Sequence, residues 1–255
     1  ALRSTPTLVS GLYATFSISD DGNLYNMGYR FIKDHKEIVV CPPKVIPSLK
    51  NIISVATGES HVACVDIEGN VYTLGSNLWG QLGVERNYRV YGNILLPQRV
   101  AVPPCKQVSC GHLFTICLTK DGLVYSFGYN VSGALGTGIT ETFCNTPQKL
   151  NPLKDVDFIE CGAEYTFCMT ANNEIYSWGR NDDGQLGLSH REYADTPNIC
   201  LDLTNKSIVD IKCGHNHTLV LDSNQLVFSC GYKYYDADAD YSPVFQQIEG
   251  LSDII

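Results

Sequence analysis

Five pairs of glycines recur along the chain, and the two members of each pair are always 17 residues apart. The first glycines of successive pairs lie 47, 53, 51 and 52 residues apart. A repeat of about 50 residues is typical of an array in which each unit buries its apolar face against its neighbours. The repeat therefore predicts one array of similar units, with function carried by the positions that vary between them. The pairs are Gly11/Gly28, Gly58/Gly75, Gly111/Gly128, Gly162/Gly179 and Gly214/Gly231.

Each glycine pair encloses the pattern of a β-hairpin. A run rich in β-branched, aromatic and small residues comes first, followed by a turn signal such as Asp121-Gly122 and then by an aliphatic-aromatic pair such as Val124-Tyr125. The predicted first strands are Thr15 to Ser19, Val62 to Asp66, Thr115 to Thr119, Thr166 to Thr170 and Thr218 to Asp222. The recurring aromatic position predicts core packing in equivalent settings for Tyr25, Tyr72, Tyr125, Tyr176 and Phe228.

Three units continue after the second glycine with the pattern Gly-x-Asn-x-x-Gly-x-Leu-Gly, which begins at Gly75, Gly128 and Gly179. A phosphate-binding loop would need a lysine and a following helix, and the pattern has neither. Each unit shows four short strands and no helical periodicity. This combination predicts an all-β fold, a β-propeller, as a single domain over residues 1–255.

Four features of the units together resemble the regulator of chromosome condensation (RCC) repeat. They are the strand starts with Gly-x-x-His-Thr character (Gly214 to Thr218), the Asp-Gly turns, the Tyr-x-x-Gly strand ends and the glycine-rich loop. The resemblance covers essentially the whole chain. It implies a β-propeller related to the guanine nucleotide exchange factors of the small GTPase Ran. The first and fifth units lack the loop motif after Gly28 and Gly231, and family rings usually have seven blades, so five recognisable repeats leave the ring size open.

The net charge of −9 reflects 18 basic and 27 acidic residues, without a Lys/Arg cluster. Nucleic-acid binding is therefore disfavoured, because it needs a basic surface. The sequence shows neither a charged-then-apolar leader nor an apolar run of about 20 residues, so we expect no membrane segment. Nothing in the sequence indicates a homo-oligomer.

The 11 cysteines follow the repeat. Cys110, Cys161 and Cys213 each precede a repeat glycine, and three others stand six residues after one, so cysteine is predicted to act as a small buried apolar residue. The chain has no Cys-x-x-Cys pair, which disfavours zinc and a disulfide framework. A reducing, intracellular compartment is expected, with the cytoplasm favoured and a nuclear location or delivery into a host cell left open.

Two positions after each first glycine vary while their surroundings are constant. Strand starts of a propeller gather at one face around the central channel, so these positions are predicted to form one composite surface. The RCC resemblance implies that acidic and histidine residues at such positions contact Ran. The partner-binding candidates here are Tyr13, Glu59, Ser60, His112, Leu113, Glu164, His215 and Asn216. The alternative is that they are ordinary solvated loop residues.

A second candidate surface lies in the connection from Val84 to Leu96, which at 13 residues is the longest of the three comparable loops. It contains residue types that are enriched at interface hot spots, although a packed surface loop is the favoured interpretation. These residues are Arg86, Tyr88, Arg89 and Tyr91. The acidic run Asp236 to Asp240 lacks the glycine and glutamate of a calcium loop and is interpreted as a solvated loop.

His61 and His217 stand close to the acidic candidates, which raises the possibility of a general base. Other units place Ala14, Phe114 and Tyr165 at that position, so packing is the favoured interpretation. Nucleophile-elbow, zinc-protease and P-loop motifs are missing from the sequence. We therefore expect no covalent catalysis, catalytic residue, metal or cofactor.

Two classes of function remain. The first is a propeller that binds a Ran- or Rab-type small GTPase and accelerates nucleotide release, since a repeat scaffold can change partner through its variable positions. The second is a recognition module without exchange activity, such as the substrate-binding propeller of a ubiquitin ligase or an inhibitor. A nucleosome-binding role ranks third because of the acidic charge.

Overall fold

The computed structural model describes residues 8–11, 14–32, 37–85, 94–232 and 241–251, with the backbone alone for 29–32, 37–40 and 95. Twenty strands form five four-stranded antiparallel sheets, and strand order in every sheet follows the chain. In chain order the strands are β1 (Leu8–Ser10), β2 (Ala14–Ile18), β3 (Leu24–Ile32), β4 (Glu37–Val45), β5 (Ile52–Thr57), β6 (His61–Asp66), β7 (Val71–Gly75), β8 (Ile94–Arg99), β9 (Cys105–Cys110), β10 (Phe114–Thr119), β11 (Val124–Tyr129), β12 (Phe143–Lys149), β13 (Val156–Cys161), β14 (Tyr165–Thr170), β15 (Ile175–Gly179), β16 (Ala194–Ile199), β17 (Ile208–Cys213), β18 (His217–Asp222), β19 (Val227–Tyr232) and β20 (Tyr241–Gln247).

Each sheet is one blade, numbered 1 to 5 along the chain. The innermost strands β1, β5, β9, β13 and β17 pack on one another in series, which confirms the predicted β-propeller. Blades 1 and 5 form no comparable packing in the described parts of the chain. A 3-10 turn at Leu201–Leu203 is the one helical element among the described residues.

The predicted hairpins are confirmed nearly to the residue. The second strand of every blade begins one position earlier than expected, and the third strand begins at the predicted aliphatic residue. Every residue of β6 and β10 is buried, because the second strand of a blade lies between two neighbouring blades. The aromatic position pairs in the same register in each blade, for example Tyr72 opposite Cys64 and Tyr125 opposite Cys117. Phe228 is buried, whereas the four tyrosines are half-buried.

The constant glycine spacing has a steric cause. The residue three positions after the first glycine lays its ring over that glycine, as His61 does on Gly58 and Phe114 on Gly111. The second glycine of the pair is the cross-strand partner of the same residue, as in His61 opposite Gly75. Gly75 has φ +113 and a Cβ there would collide with backbone atoms of the facing strand, so glycine is required. The ring is thus held between two glycines.

The glycine-rich loop, which we call the long loop, joins the third strand to the fourth and fills the space before the next blade. In blade 2 the Asn77 side-chain oxygen accepts from the Leu82 N–H at 3.1 Å, and the Leu82 carbonyl accepts from Thr73 at 2.8 Å. Leu82 is fully buried. A Cβ on Gly83 would press on the ring of Phe127 in blade 3. Blades 3 and 4 repeat these contacts, so the motif is structural.

Blade 1 differs in this connection. There β3 and β4 continue as a two-stranded ribbon beyond Gly28, with pairing from Tyr29 opposite Val40 as far as Ile32 opposite Glu37. Where blades 2 to 4 have the long loop, blade 1 therefore has a paired ribbon. This is the structural outcome of the missing loop motif in the first unit.

All eleven cysteines are free. Six are buried and five are half-buried, consistent with the predicted packing role. Burial raises the pKa of the Cys110 thiol to about 12 and raises those of Cys161 and Cys213 as well. A protonated, enclosed thiol is a poor nucleophile.

We expect Gly214→Ala to lower the free energy of unfolding by about 1–3 kcal/mol, because its methyl group would overpack the site. The three nearest atoms would all belong to the His217 ring, closer than 3.0 Å. Urea unfolding measures the effect. The same change in a His217→Ala background should cost clearly less, and an equal cost in both backgrounds would show that the ring is not responsible.

We expect the thiols of Cys110, Cys161 and Cys213 to react slowly with an aromatic disulfide reagent at pH 8, because few are ionised and the neighbouring blades shield them. In urea all eleven thiols should react rapidly. Mass spectrometry of the labelled peptides identifies each site. Rapid native labelling of all three cysteines would contradict the packing role.

Candidate partner-binding face

Two sets of connections meet at one end of the blades. The first turn joins the first and second strands of a blade, and the long loop joins the third and fourth, so antiparallel pairing places both at the same end. Backbone hydrogen bonds link them in successive blades: Ser76 to Ser60, Tyr129 to Leu113, Arg180 to Glu164 and Tyr232 to Asn216, at 2.8 to 2.9 Å. We call this surface the turn face, formed by first turns 58–60, 111–113, 162–164 and 214–216 and long-loop residues 76–85, 130–142 and 180–193.

The first turns are connected to one another across blades. The Glu59 N–H donates to the His112 carbonyl at 3.0 Å, and the His112 N–H donates to the Ala163 carbonyl at 2.8 Å. The His112 ring meets the His215 ring edge to face, with centroids 5.7 Å apart. Residues from blades 2 to 5 are therefore held in one frame around the centre of the array.

Glu164 is held in place by side chains of two blades. Its side-chain oxygen accepts a hydrogen bond from Ser132 of the preceding blade at 2.7 Å and lies 4.0 Å from the Arg180 guanidinium. Arg180 in turn makes a two-pronged contact with Asp182, at 2.8 Å through each nitrogen. Because both Glu164 and Arg180 are largely shielded from solvent, the group presents a preoriented charge pattern.

Two aspartates of the same long loop have opposite pKa shifts. The hydrogen bonds from Arg180 lower the pKa of Asp182. Burial, reinforced by the neighbouring charge of Asp182, raises the pKa of Asp183. His215 lies close enough to Asp183 to oppose that increase. The centre of the turn face thus combines carboxylates with histidines that a partner's basic or hydrogen-bonding groups would recognise.

The structure places seven of the predicted site residues on the turn face. His215 is exposed, and its ring lies 2.5 Å from the Asn216 side-chain oxygen. The half-buried members are Glu59, Ser60, His112, Leu113, Glu164 and Asn216. Tyr13, the four candidates Arg86, Tyr88, Arg89 and Tyr91, and the acidic run 236–240 lie outside the described residues.

His61 is a packing residue. It is 4% exposed, its ring covers Gly58, and its Nε2 lies 3.0 Å from the Thr115 hydroxyl of the next blade. Burial lowers the pKa of His61 to about 4. His217 covers Gly214 in the same way, so the position serves interblade packing, as the repeat pattern predicts.

Sequence reasoning missed the contribution of the long loops. Ser132, Arg180 and Asp183 join the face, and Trp79 packs edge to face on Tyr129 with centroids 4.8 Å apart. They occupy the variable positions within the glycine-rich motif. The signal was available, because two connections separated by one hairpin must lie at the same end of an antiparallel sheet.

Across the described ranges, no three His, Cys, Asp or Glu side chains are placed to hold a metal ion. The same ranges contain no helix with the length and apolar character needed to cross a bilayer.

The blades and the turn face define a propeller of the RCC type. A sequence profile of the RCC1-like domain matches residues 5–237, and the chain belongs to that family. Mouse HERC2, an E3 ubiquitin-protein ligase, is 31% identical in an alignment of 202 residues. The alignment covers 74% of this chain and 4% of HERC2. The mouse serine/threonine-protein kinase Nek9 is 32% identical over 206 residues, 75% of this chain and 20% of Nek9. The chain thus matches a small part of these relatives.

Solved structures show the same fold. Yeast RCC1 (Prp20), in its complex with Kap60, superposes with a TM-score of 0.82 at 20% identity, over 95% of this chain and 60% of Prp20. Human WBSCR16 gives a TM-score of 0.81 at 22% identity, over 97% of this chain and 68% of WBSCR16. At these identities the likeness concerns the fold alone.

We expect His61 to weaken the fold as the pH falls. Its pKa of about 4 lies below the ordinary value of 6.5, so the unfolded chain binds the proton first and stability is lost between about pH 6.5 and 4. The loss in free energy of unfolding that is due to His61 reaches about 3 kcal/mol at pH 4. Denaturant unfolding of wild type and His61→Phe, which copies Phe114 of blade 3, should show a flatter pH dependence in the variant. Identical slopes would contradict the assignment.

Proposed function

We propose that the chain is a protein-binding propeller whose turn face binds a small GTPase of the Ran type, with a Rab-type GTPase as the variant to be tested beside it. The observation that carries the proposal is the joining of variable histidine and acidic residues from four blades, through turn-to-turn hydrogen bonds in blades 2 to 4 and the ring contact of His112 with His215 of blade 5. The RCC resemblance assigns such residues to Ran contact. Prp20p of Saccharomyces cerevisiae, which shares the fold, was described together with its binding to Gsp1p and histones.

Acceleration of nucleotide release would need no covalent chemistry. A propeller that binds the nucleotide-free GTPase more tightly than the loaded form lowers nucleotide affinity by the same factor. The frame around Glu164 suits this role, since a preoriented carboxylate opposes a basic element without a large ordering cost. Exchange is therefore the activity to measure first.

A recognition module without exchange activity is the second candidate. It is favoured by the match of this chain to 4% of HERC2 and 20% of Nek9, relatives in which an RCC1-like region is one part of a much larger protein. In that case the same turn face would bind a substrate or a regulatory protein.

We expect the quadruple variant Glu59→Ala, His112→Ala, Glu164→Ala and His215→Ala to weaken GTPase binding at least about tenfold while lowering the free energy of unfolding by only about 1–3 kcal/mol. The turns keep their backbone hydrogen bonds, and the variant loses the Ser132–Glu164 hydrogen bond and the His112–His215 ring contact. Binding and release of a fluorescent nucleotide are measured with a panel of Ran- and Rab-type GTPases. Unchanged binding by the quadruple variant would refute the face assignment.

Single variants at Glu164 test whether its negative charge or its hydrogen bond to Ser132 is needed for binding. Glu164→Lys should raise the dissociation rate or abolish exchange, whereas Glu164→Gln keeps an oxygen for Ser132 and tests the charge alone. Glu68→Ala is the matched control, because Glu68 is an exposed glutamate in the hairpin turn at the opposite end of blade 2. If the parent protein binds no GTPase of the panel, the recognition module becomes the leading function.

A further inference from the structure

A cavity of about 540 Å³ lies between blade 1 and blade 2, beside the contact of their inner strands. It is lined by Phe16, Asn26 and Met27 from blade 1 and by His61, Val62 and Leu74 from blade 2. Glu59 and Ser60 of the turn face also border it. Its volume is in the range of sites that bind small ligands or peptide side chains.

The other described interfaces show what normally fills this space. After blades 2, 3 and 4 a buried leucine of the long loop, Leu82, Leu135 or Leu186, enters between the blades. Its carbonyl accepts a hydrogen bond from the third strand behind it, through Thr73, Ser126 or Ser177, at 2.8 to 2.9 Å. Blade 1 has no such leucine, because its third and fourth strands remain paired as a ribbon.

The walls of the cavity correspond position by position to the walls of a filled interface. Asn26 of blade 1 takes the place of the donor Thr73, since both stand two residues before the second glycine of their unit. Val62 of blade 2 takes the place of Thr115, whose hydroxyl donates to the Gln81 carbonyl at 2.9 Å. Leu74 takes the place of Phe127.

His61 adds an unsatisfied group. The Thr115 hydroxyl gives its proton to the Gln81 carbonyl, so the hydrogen bond at 3.0 Å requires the Nε2 of His61 to be the donor. The Nδ1 is then an acceptor, and it is buried without a hydrogen-bond partner among the described residues. This nitrogen lies over Gly58 of the first turn.

From these observations we propose that the cavity binds a short turn-forming segment of a partner protein, in which a leucine is followed by glycine, as in the long loops. The leucine fills the apolar space, its carbonyl accepts from the Asn26 amide, and the glycine allows the close approach that Gly83 makes to Phe127. Because Glu59 and Ser60 border the cavity, the segment would enter from the turn face. The proposal does not depend on which partner occupies that face.

The probe is the capped peptide Asn-Asp-Asp-Gly-Gln-Leu-Gly, the sequence of this chain's own loop at 181–187. Binding is followed by NMR of the intact protein through the signals of Met27 and Leu74. A dissociation constant of about 0.1–1 mM is expected, since a short peptide must be ordered on binding. The Leu→Ala peptide should bind at least about tenfold more weakly, because it leaves most of the cavity empty.

Variants of the cavity wall give effects in opposite directions. Val62→Thr restores the hydroxyl found at Thr115 and should tighten peptide binding about threefold to tenfold. Val62→Phe should abolish binding by filling the space. If Val62→Phe does not fold, Asn26→Leu, which removes the amide donor, should still weaken binding at least about threefold.

Several outcomes would overturn the proposal. Equal binding of the Leu→Ala peptide, shifts confined to residues away from blades 1 and 2, or indifference to Val62→Thr and Asn26→Leu would each refute it. A concentration-dependent dimer that Val62→Phe abolishes would assign the cavity to a second copy of the chain instead. If the unmodified protein binds the peptide but no GTPase of the panel, the proposed function alone would be refuted.

Discussion

The placement of one ring between two glycines, found in blades 2 to 5, is the contact on which the rest of the structure depends. The residue three positions after the first glycine covers it, and the second glycine lies opposite the same residue in the next strand. A methyl group at either glycine would enter occupied space. Burial of such a ring stabilises the fold by roughly 1.5–3 kcal/mol and ties the first turn to both strands of the hairpin. This contact explains why the two glycines of each pair are always 17 residues apart.

The same contact allows the residues beside it to vary in sequence. Because the glycines and the ring hold each first turn, the two residues between them can vary without loss of the fold. Backbone hydrogen bonds between turns, such as that from Glu59 to His112, keep these residues in a common frame. These residues therefore form a surface whose chemistry changes from blade to blade, an arrangement that lets one fold serve unrelated functions.

Loss of a repeated motif has structural consequences as well. The long loop normally closes the gap to the next blade with a buried leucine, and its absence in blade 1 coincides with the cavity lined by Asn26 and Val62. Protein interiors are close-packed, so a space of this size within a repeat array requires an explanation.

The sequence by itself determined the repeat, the strand order and the packing roles of the glycines, the cysteines and the histidine position, because each follows from local pattern repeated five times. It also placed the first-turn candidates, since strand starts of equivalent units share one end. Tertiary structure alone decided that Ser132 and Arg180 hold Glu164, that His112 meets His215, and that a cavity follows blade 1. These are contacts between different units. A repeat pattern describes what the units share, whereas side-chain contacts between blades depend on where they differ.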